Sequence, residues 1–185
     1  PSVCESLIAF TRSDGLYVVR PDGTGLTSIS SGAQEARPVW SPDGSRLLVE
    51  RVANGAIDIF AINADGTGLA NLTNSPKNDT SAVWSPDGAR IAFTTERNYS
   101  GSGSDVYVMD ADGRSPTMID ERADQASWAP DGARIAYASY KSGRFQVYTA
   151  NPDGSNSTNL TGSSFSDSSP RWSPDGSRIS FEGIR

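Results

Sequence analysis

Four short segments of this chain align without a gap: Trp40-Ser-Pro-Asp-Gly-Ser-Arg46, Trp84-Ser-Pro-Asp-Gly-Ala-Arg90, Trp128-Ala-Pro-Asp-Gly-Ala-Arg134 and Trp172-Ser-Pro-Asp-Gly-Ser-Arg178. Their tryptophans stand 44 residues apart each time. A unit of that length cannot bury a core by itself, so its copies must stack on one another. Chance does not set such a period, and any account of the fold has to respect it.

Within each unit the residues alternate between strand formers and turn formers. The Trp segment reads as a first strand, ended by a Pro-Asp-Gly turn whose glycine takes positive φ at little cost. A second strand follows, at Leu47–Val49, Ile91–Phe93, Ile135–Tyr137 and Ile179–Phe181. The third strand is predicted at 57–62, 106–109 and 146–149, and it runs into a second Asp-Gly turn at Asn63–Gly66, Asp110–Gly113 and Asn151–Gly154. Short fourth strands close the unit near 68–73 and 157–161. Asp-Gly between β-rich runs is a strong hairpin signal. No stretch carries a convincing 3.6-residue apolar period, so helix is not expected.

Four short strands in about 44 residues is the pattern of a propeller blade. The predicted fold is all-β, a β-propeller of four-stranded antiparallel blades in about four repeats. Residues 1–185 are read as a single propeller or part of one. The N-terminal unit enters at its second strand, Leu7–Phe10, and the C-terminal unit stops after its second strand. Ring closure is therefore expected by terminal strand exchange, with the last Trp strand completing the first blade, or by oligomerisation. A homo-oligomer stays open as a partner.

The combination Trp-Ser-Pro-Asp-Gly-x-Arg-Ile-Ala-Phe (84–93) with Val-Tyr-Val-Met-Asp-Ala-Asp-Gly (106–113) resembles the TolB-type, WD-like propeller repeat. The resemblance covers essentially the whole chain. It implies a scaffold of the kind found in periplasmic peptide-binding proteins, in non-catalytic domains of prolyl-oligopeptidase-like hydrolases and in bacterial surface proteins. It points to a periplasmic or extracellular setting, although the chain itself shows no signal peptide. Fold alone does not assign function.

Candidate sites follow from the layout. In a propeller the first strand lines the axis, so the loops joining second to third strands and fourth to first strands share one face. Those loops differ between repeats, and they supply Arg12, Arg51, Arg97, Tyr99, Tyr140, Lys141 and Arg144 as candidate binding residues. Each Trp strand is also preceded by an acid, Glu35, Asp79, Asp124 and Asp167. Four carboxylates around one channel mouth would attract a basic side chain or a cation, with calcium the candidate at Asp79 and Asp167 and no other cofactor expected. The competing reading is that each acid accepts hydrogen bonds within its own loop.

The inventory speaks against catalysis. There is no histidine, which removes Ser-His-Asp and Cys-His constellations and the usual zinc sites. No nucleophile elbow or phosphate loop is present. A net charge of −6 argues against a nucleic-acid partner, and no apolar run reaches the length of a membrane span. The reading is a non-enzymatic binding scaffold for a protein or peptide, with a carbohydrate or other small ligand bound once per blade as the alternative. A structural fragment of a larger surface protein or hydrolase is the further alternative.

Overall fold

The computed structural model describes residues 7–31, 35–98 and 103–184. Among them there are five antiparallel sheets and no helix. Sheet 1 holds β1 (Ile8–Arg12), β2 (Gly15–Val19) and β3 (Thr27–Ser28). Sheet 2 holds β4 (Glu35–Trp40), β5 (Arg46–Ala53), β6 (Ala56–Asn63) and β7 (Ala70–Asn71). Sheet 3 holds β8 (Asp79–Trp84), β9 (Arg90–Thr95), β10 (Asp105–Asp110) and β11 (Thr117–Asp120). Sheet 4 holds β12 (Ala123–Trp128), β13 (Ile135–Ser139), β14 (Gln146–Ala150) and β15 (Thr158–Asn159). Sheet 5 pairs β16 (Ser166–Trp172) with β17 (Ile179–Ile184).

Successive sheets pack face to face, and the period-2 alternation of strand side chains explains how one strand serves two interfaces. On β5, Leu47 and Val49 join Leu16, Val18, Ile29, Phe60 and Ile62 between sheets 1 and 2. Leu48, the residue between them, points the other way and joins Trp84, Ile91, Phe93 and Met109 between sheets 2 and 3. A third cluster, built on Val106, Val108, Trp128, Ile135 and Tyr137, fills the gap between sheets 3 and 4. The first strands β4, β8, β12 and β16 adjoin one another in order, so the sheets radiate from a common line. The propeller architecture expected from the repeats is thus present.

Two devices fix the angle between sheets. Trp84 Nε1 donates to the Val39 carbonyl at 3.3 Å, and Trp128 Nε1 donates to the Val83 carbonyl at 3.3 Å. Each indole therefore ties its own first strand to the preceding one. At the other device, Gly113 takes φ of +87°, and a Cβ there would lie 2.6 Å from the Leu72 carbonyl of the previous blade. Gly66 meets the Ile29 carbonyl in the same way. Only glycine lets these turns approach so closely.

Among the described residues β16 pairs with β17 and makes no ladder with sheet 1. Among the described residues the opposite edge of β1 has no ladder partner. Two of the loops that differ between repeats are tight hairpins. Arg12 pairs with Gly15 around Ser13-Asp14, and Ala53 pairs with Ala56 around Asn54-Gly55. Asn54 and Gly55 both have positive φ, the conformation that an Asn-Gly turn is built for.

The Pro-Asp-Gly and Ala-Asp-Gly turns share one chemistry. Asp43 Oδ1 accepts the Ser45 N–H at 3.0 Å, and Asp175 Oδ1 accepts the Ser177 N–H at 3.0 Å. Hydrogen bonds from Ser41 and Ser173 hydroxyls, then from Ser45 and Ser177, hold these two carboxyls at about 2, below the ordinary 3.8. Asp22, Asp65, Asp87 and Asp153 are lowered by the same kind of bond. A depressed native pKa means the unfolded chain binds more protons between about pH 4 and about pH 2, so stability falls as pH falls through that window. Urea titrations across it should show the loss in the wild-type chain, and a smaller loss in Asp43→Asn/Asp175→Asn. Separately, Trp84→Ala should cost about 3–5 kcal/mol in the same assay at neutral pH, since it empties a buried site and removes the tie to Val39.

Candidate functional site

The acids placed before the tryptophans do not form a ring around the axis. Glu35, Asp79 and Asp167 are buried, at 5%, 0% and 4% exposure. Glu35 accepts a hydrogen bond from the Ser30 hydroxyl and lies 3.8 Å from Arg51 Nη1. Asp79 accepts Arg97 Nη2 at 2.9 Å, and Asp167 accepts the Ser163 hydroxyl at 2.8 Å. Each is spent inside its own blade or loop. Among the described residues no group of three or more carboxylates or other metal-ligating side chains comes together. Of the four, Asp124 alone lines the axial cavity. It sits one residue later in the repeat, and that shift turns it to the other side of the strand.

The basic residues of the variable loops are drawn into the same pairs. Arg51 stacks over Phe60 at 5.5 Å and Arg97 over Phe93 at 5.6 Å, while each faces its acid. Lys141 Nζ reaches Asp120 Oδ1 at 2.8 Å, an acid at the end of β11 in the preceding sheet, while Ala123 stands at the Glu35 position of this repeat. Arg144 donates to the Ser164 carbonyl, and Tyr140 meets Phe145 edge-on at 5.4 Å. Arg12 lies over Phe10 and Tyr17, at 5.3 and 4.8 Å. Tyr99 lies outside the described residues.

The site that sequence reasoning missed is on the first strands themselves. In every repeat the ladder slips by one residue, between Ala36 and Val39, Thr80 and Val83, Asp124 and Ser127, and Ser168 and Arg171. The bulged residues Arg37, Ser81, Gln125 and Ser169 have φ of 50°, 56°, 60° and 55°. Non-glycine residues in that region cost about 1–3 kcal/mol each, and such strain collects where a fold must aim a group. Proline at 38 and 170 fits the same place, because the innermost strand has an unpaired edge. The only trace in the sequence is that the third residue before each Trp is polar.

The bulges turn these four positions toward the axis. Together with Glu50, Asp124 and Arg171 they line a cavity of about 410 Å³ whose floor is Val39, Leu48, Ile59, Ala82, Val83 and Ala126. A volume of this size suits a small ligand or a few residues of a peptide. Polar bonds cross every sheet boundary around it. Arg37 Nη1 donates to Ser81 Oγ at 2.9 Å, and the Ser81 N–H, freed from its ladder, donates to Glu50 Oε1 at 2.7 Å. Thr94 Oγ1 donates to Asp124 Oδ1 at 2.9 Å, and the Ser169 N–H donates to Gln125 Oε1 at 2.6 Å. The lining therefore carries both signs of charge, rigidly supported.

The family model for the TolB beta propeller domain matches residues 23–183. The chain belongs to that family. Among solved structures, this TolB-type propeller is similar to a putative TolB from Agrobacterium tumefaciens, with a TM-score of 0.77 at 23% identity over 96% of this chain and 66% of that one. It is also similar to TolB from Acinetobacter baumannii, with a TM-score of 0.67 at 21% identity over 90% of this chain and 42% of that one. A puromycin-hydrolyzing peptidase from Mycobacterium tuberculosis matches with a TM-score of 0.73 at 18% identity, over 90% of this chain and 30% of that one. The chain thus spans two thirds or less of the length of these relatives. At such identities the likeness establishes the fold.

Within the propeller, the Asp79–Arg97 pair is the sharpest case of a cation read as exposed but engaged in structure. Asp79 is fully buried, so removing its partner strands a charge in the interior. Arg97→Met should lower stability by about 3–5 kcal/mol in chemical denaturation. Arg144→Ala, on an exposed loop, should change it by less than about 0.5 kcal/mol.

Proposed function

We propose that this TolB-type propeller is a non-catalytic scaffold that binds a protein partner through a peptide segment held at the axial cavity, in the periplasm or outside the cell. The observation that carries this reading is the set of four strained bulges, which bring one polar residue from each of four sheets to the same cavity. Arg37 and Arg171 suit carboxylates, Glu50 and Asp124 suit amines, and Gln125, Ser81 and Ser169 suit peptide N–H and C=O groups. The apolar floor offers a place for an aliphatic or aromatic side chain. The propeller fold shared with the two TolB proteins supports the reading.

The peptidase relative is matched over less than a third of its length, and this chain has no histidine to assemble a triad of the usual kind. A ligand site repeated in each blade draws less support, because Arg51, Arg97 and Lys141 already neutralise buried acids. Panning a displayed library of random peptides against the chain tests the proposal. Enriched peptides should bind with one site per chain by calorimetry, and should lose about tenfold or more in affinity against Arg37→Ala/Arg171→Ala. Three or four equal sites per chain, or affinity indifferent to the double substitution, would remove the axial reading.

A further inference from the structure

The first strand of sheet 4 breaks the pattern of the others, and the framework compensates for the break. Glu35 and Asp79 stand five residues before their tryptophans, where each is buried and faces an arginine of its own blade. Asp167 is buried at the same position of sheet 5. In sheet 4 that position is Ala123, and the acid stands one residue later, at Asp124. The ladders record the shift. Ala123 lies opposite Ser139 as Glu35 lies opposite Arg51, and Asp124 lies opposite Ala138 as Ala36 lies opposite Glu50. The cation of the sheet 4 hairpin, Lys141, takes Asp120 instead, at 2.8 Å. Asp124 is thus released from the pair that Glu35 and Asp79 make.

Only half of its carboxylate is used. Oδ1 accepts Thr94 Oγ1 of sheet 3 at 2.9 Å and the Gln125 N–H at 2.6 Å. Among the described residues Oδ2 accepts no hydrogen bond, and no cation forms an ion pair with Asp124. The first strands on either side, β8 and β16, are both in place. Asp124 is partly exposed, on the wall of the axial cavity. The other charges of that wall have partners. Arg37 Nη1 lies 2.9 Å from Ser81 Oγ and 3.7 Å from Glu50 Oε1, which also accepts the Ser81 N–H. Arg171 Nη1 donates to the Pro170 carbonyl at 2.9 Å. A half-buried carboxylate beside an apolar floor, with one oxygen fixed and one unspent, is a ready acceptor for a cation.

We propose that Asp124 selects what the axial cavity takes: a peptide segment carrying a lysine or arginine, whose charged head meets Oδ2. The choice rests on the axial binding site put forward under Proposed function and narrows it to basic segments. Ser81, Gln125 and Ser169 already supply neutral hydrogen-bonding groups to the same wall, so what the carboxylate adds is charge. The two bonds to Oδ1 hold the group in one orientation before any ligand arrives, so pairing costs little side-chain entropy. A net charge of −6 on the chain also favours the approach of a basic segment. Glu50 is the weaker acceptor, because Arg37 and the Ser81 N–H already occupy it.

Panning a displayed random-peptide library in parallel on the wild-type chain and on Asp124→Lys tests the choice. Wild type should enrich lysine or arginine at one position of its consensus, and Asp124→Lys should lose that preference. A synthetic peptide of the wild-type consensus, acetylated and amidated at its ends, is the probe for calorimetry. It should bind Asp124→Asn about tenfold or more weakly, the worth of one charge-assisted contact. Asparagine keeps an oxygen for Thr94 and Gln125, so the change removes the charge and spares the bulge. Norleucine in place of the peptide's basic residue should cost wild type a similar factor and cost Asp124→Asn little more, which isolates the pair. Asp131→Asn, the same loss of charge on an exposed turn, should leave affinity within about twofold. A consensus without a basic position, or equal affinity for Asp124→Asn, overturns selection by Asp124 and leaves the cavity as the binding site. Binding that requires a free N-terminal amine overturns it too, since the chain end would then supply the cation. Failure to enrich any peptide, or indifference to Arg37→Ala/Arg171→Ala, removes the axial site itself and this choice with it.

Discussion

The indoles of Trp84 and Trp128 make the contact on which the arrangement of the middle sheets depends. Burying Trp84 or Trp128 removes a large apolar surface from water, but burial alone has no direction. Direction comes from the N–H, which must find an acceptor once the ring is inside. The carbonyls of Val39 and Val83 provide it, and both lie on the preceding first strand. The sheets are consequently locked by their inner edges and splay outward, which is the geometry of blades around an axis and not of a flat stack.

Given that lock, the outer parts of the blade follow with less constraint. The third-to-fourth turns press into the preceding blade at Gly66 and Gly113, where a side chain would collide with a carbonyl. The fourth strands then need only two ladder residues in three of the four sheets that have them, because they sit at the rim with one edge in solvent. Stability in such an array is close to a sum of blade and interface terms. Changes at a tryptophan or at these glycines therefore act on the junction between two blades.

The fold was legible in the sequence because its signals are local. A 44-residue tryptophan spacing, Asp-Gly turns and period-2 strands need no knowledge of distant contacts. Asn54-Gly55 was equally local, and it closes the hairpin between β5 and β6. The acid ring failed for a different reason. Whether Asp79 faces the axis or the blade depends on a one-residue slip of the ladder and on a cation 18 residues away, and neither leaves a mark at position 79. The bulge itself is harder still to see, since Arg37, Ser81, Gln125 and Ser169 are not residues that announce positive φ.

That blind spot also separates framework from function in this molecule. The Asp-Gly turns and the first-strand tryptophans recur at the same places from blade to blade. The bulged position changes chemically, from arginine to serine to glutamine to serine, while its strained backbone is kept. A strain repeated four times, at a position free of any common packing role, holds side chains in one direction without dictating which side chains they are. Different residues on an invariant bulge give the axial cavity an asymmetric lining, with Arg37 and Glu50 in sheet 2, Asp124 and Gln125 in sheet 4 and Arg171 in sheet 5. The axial cavity is therefore the place where four nearly equivalent sheets present different chemistry.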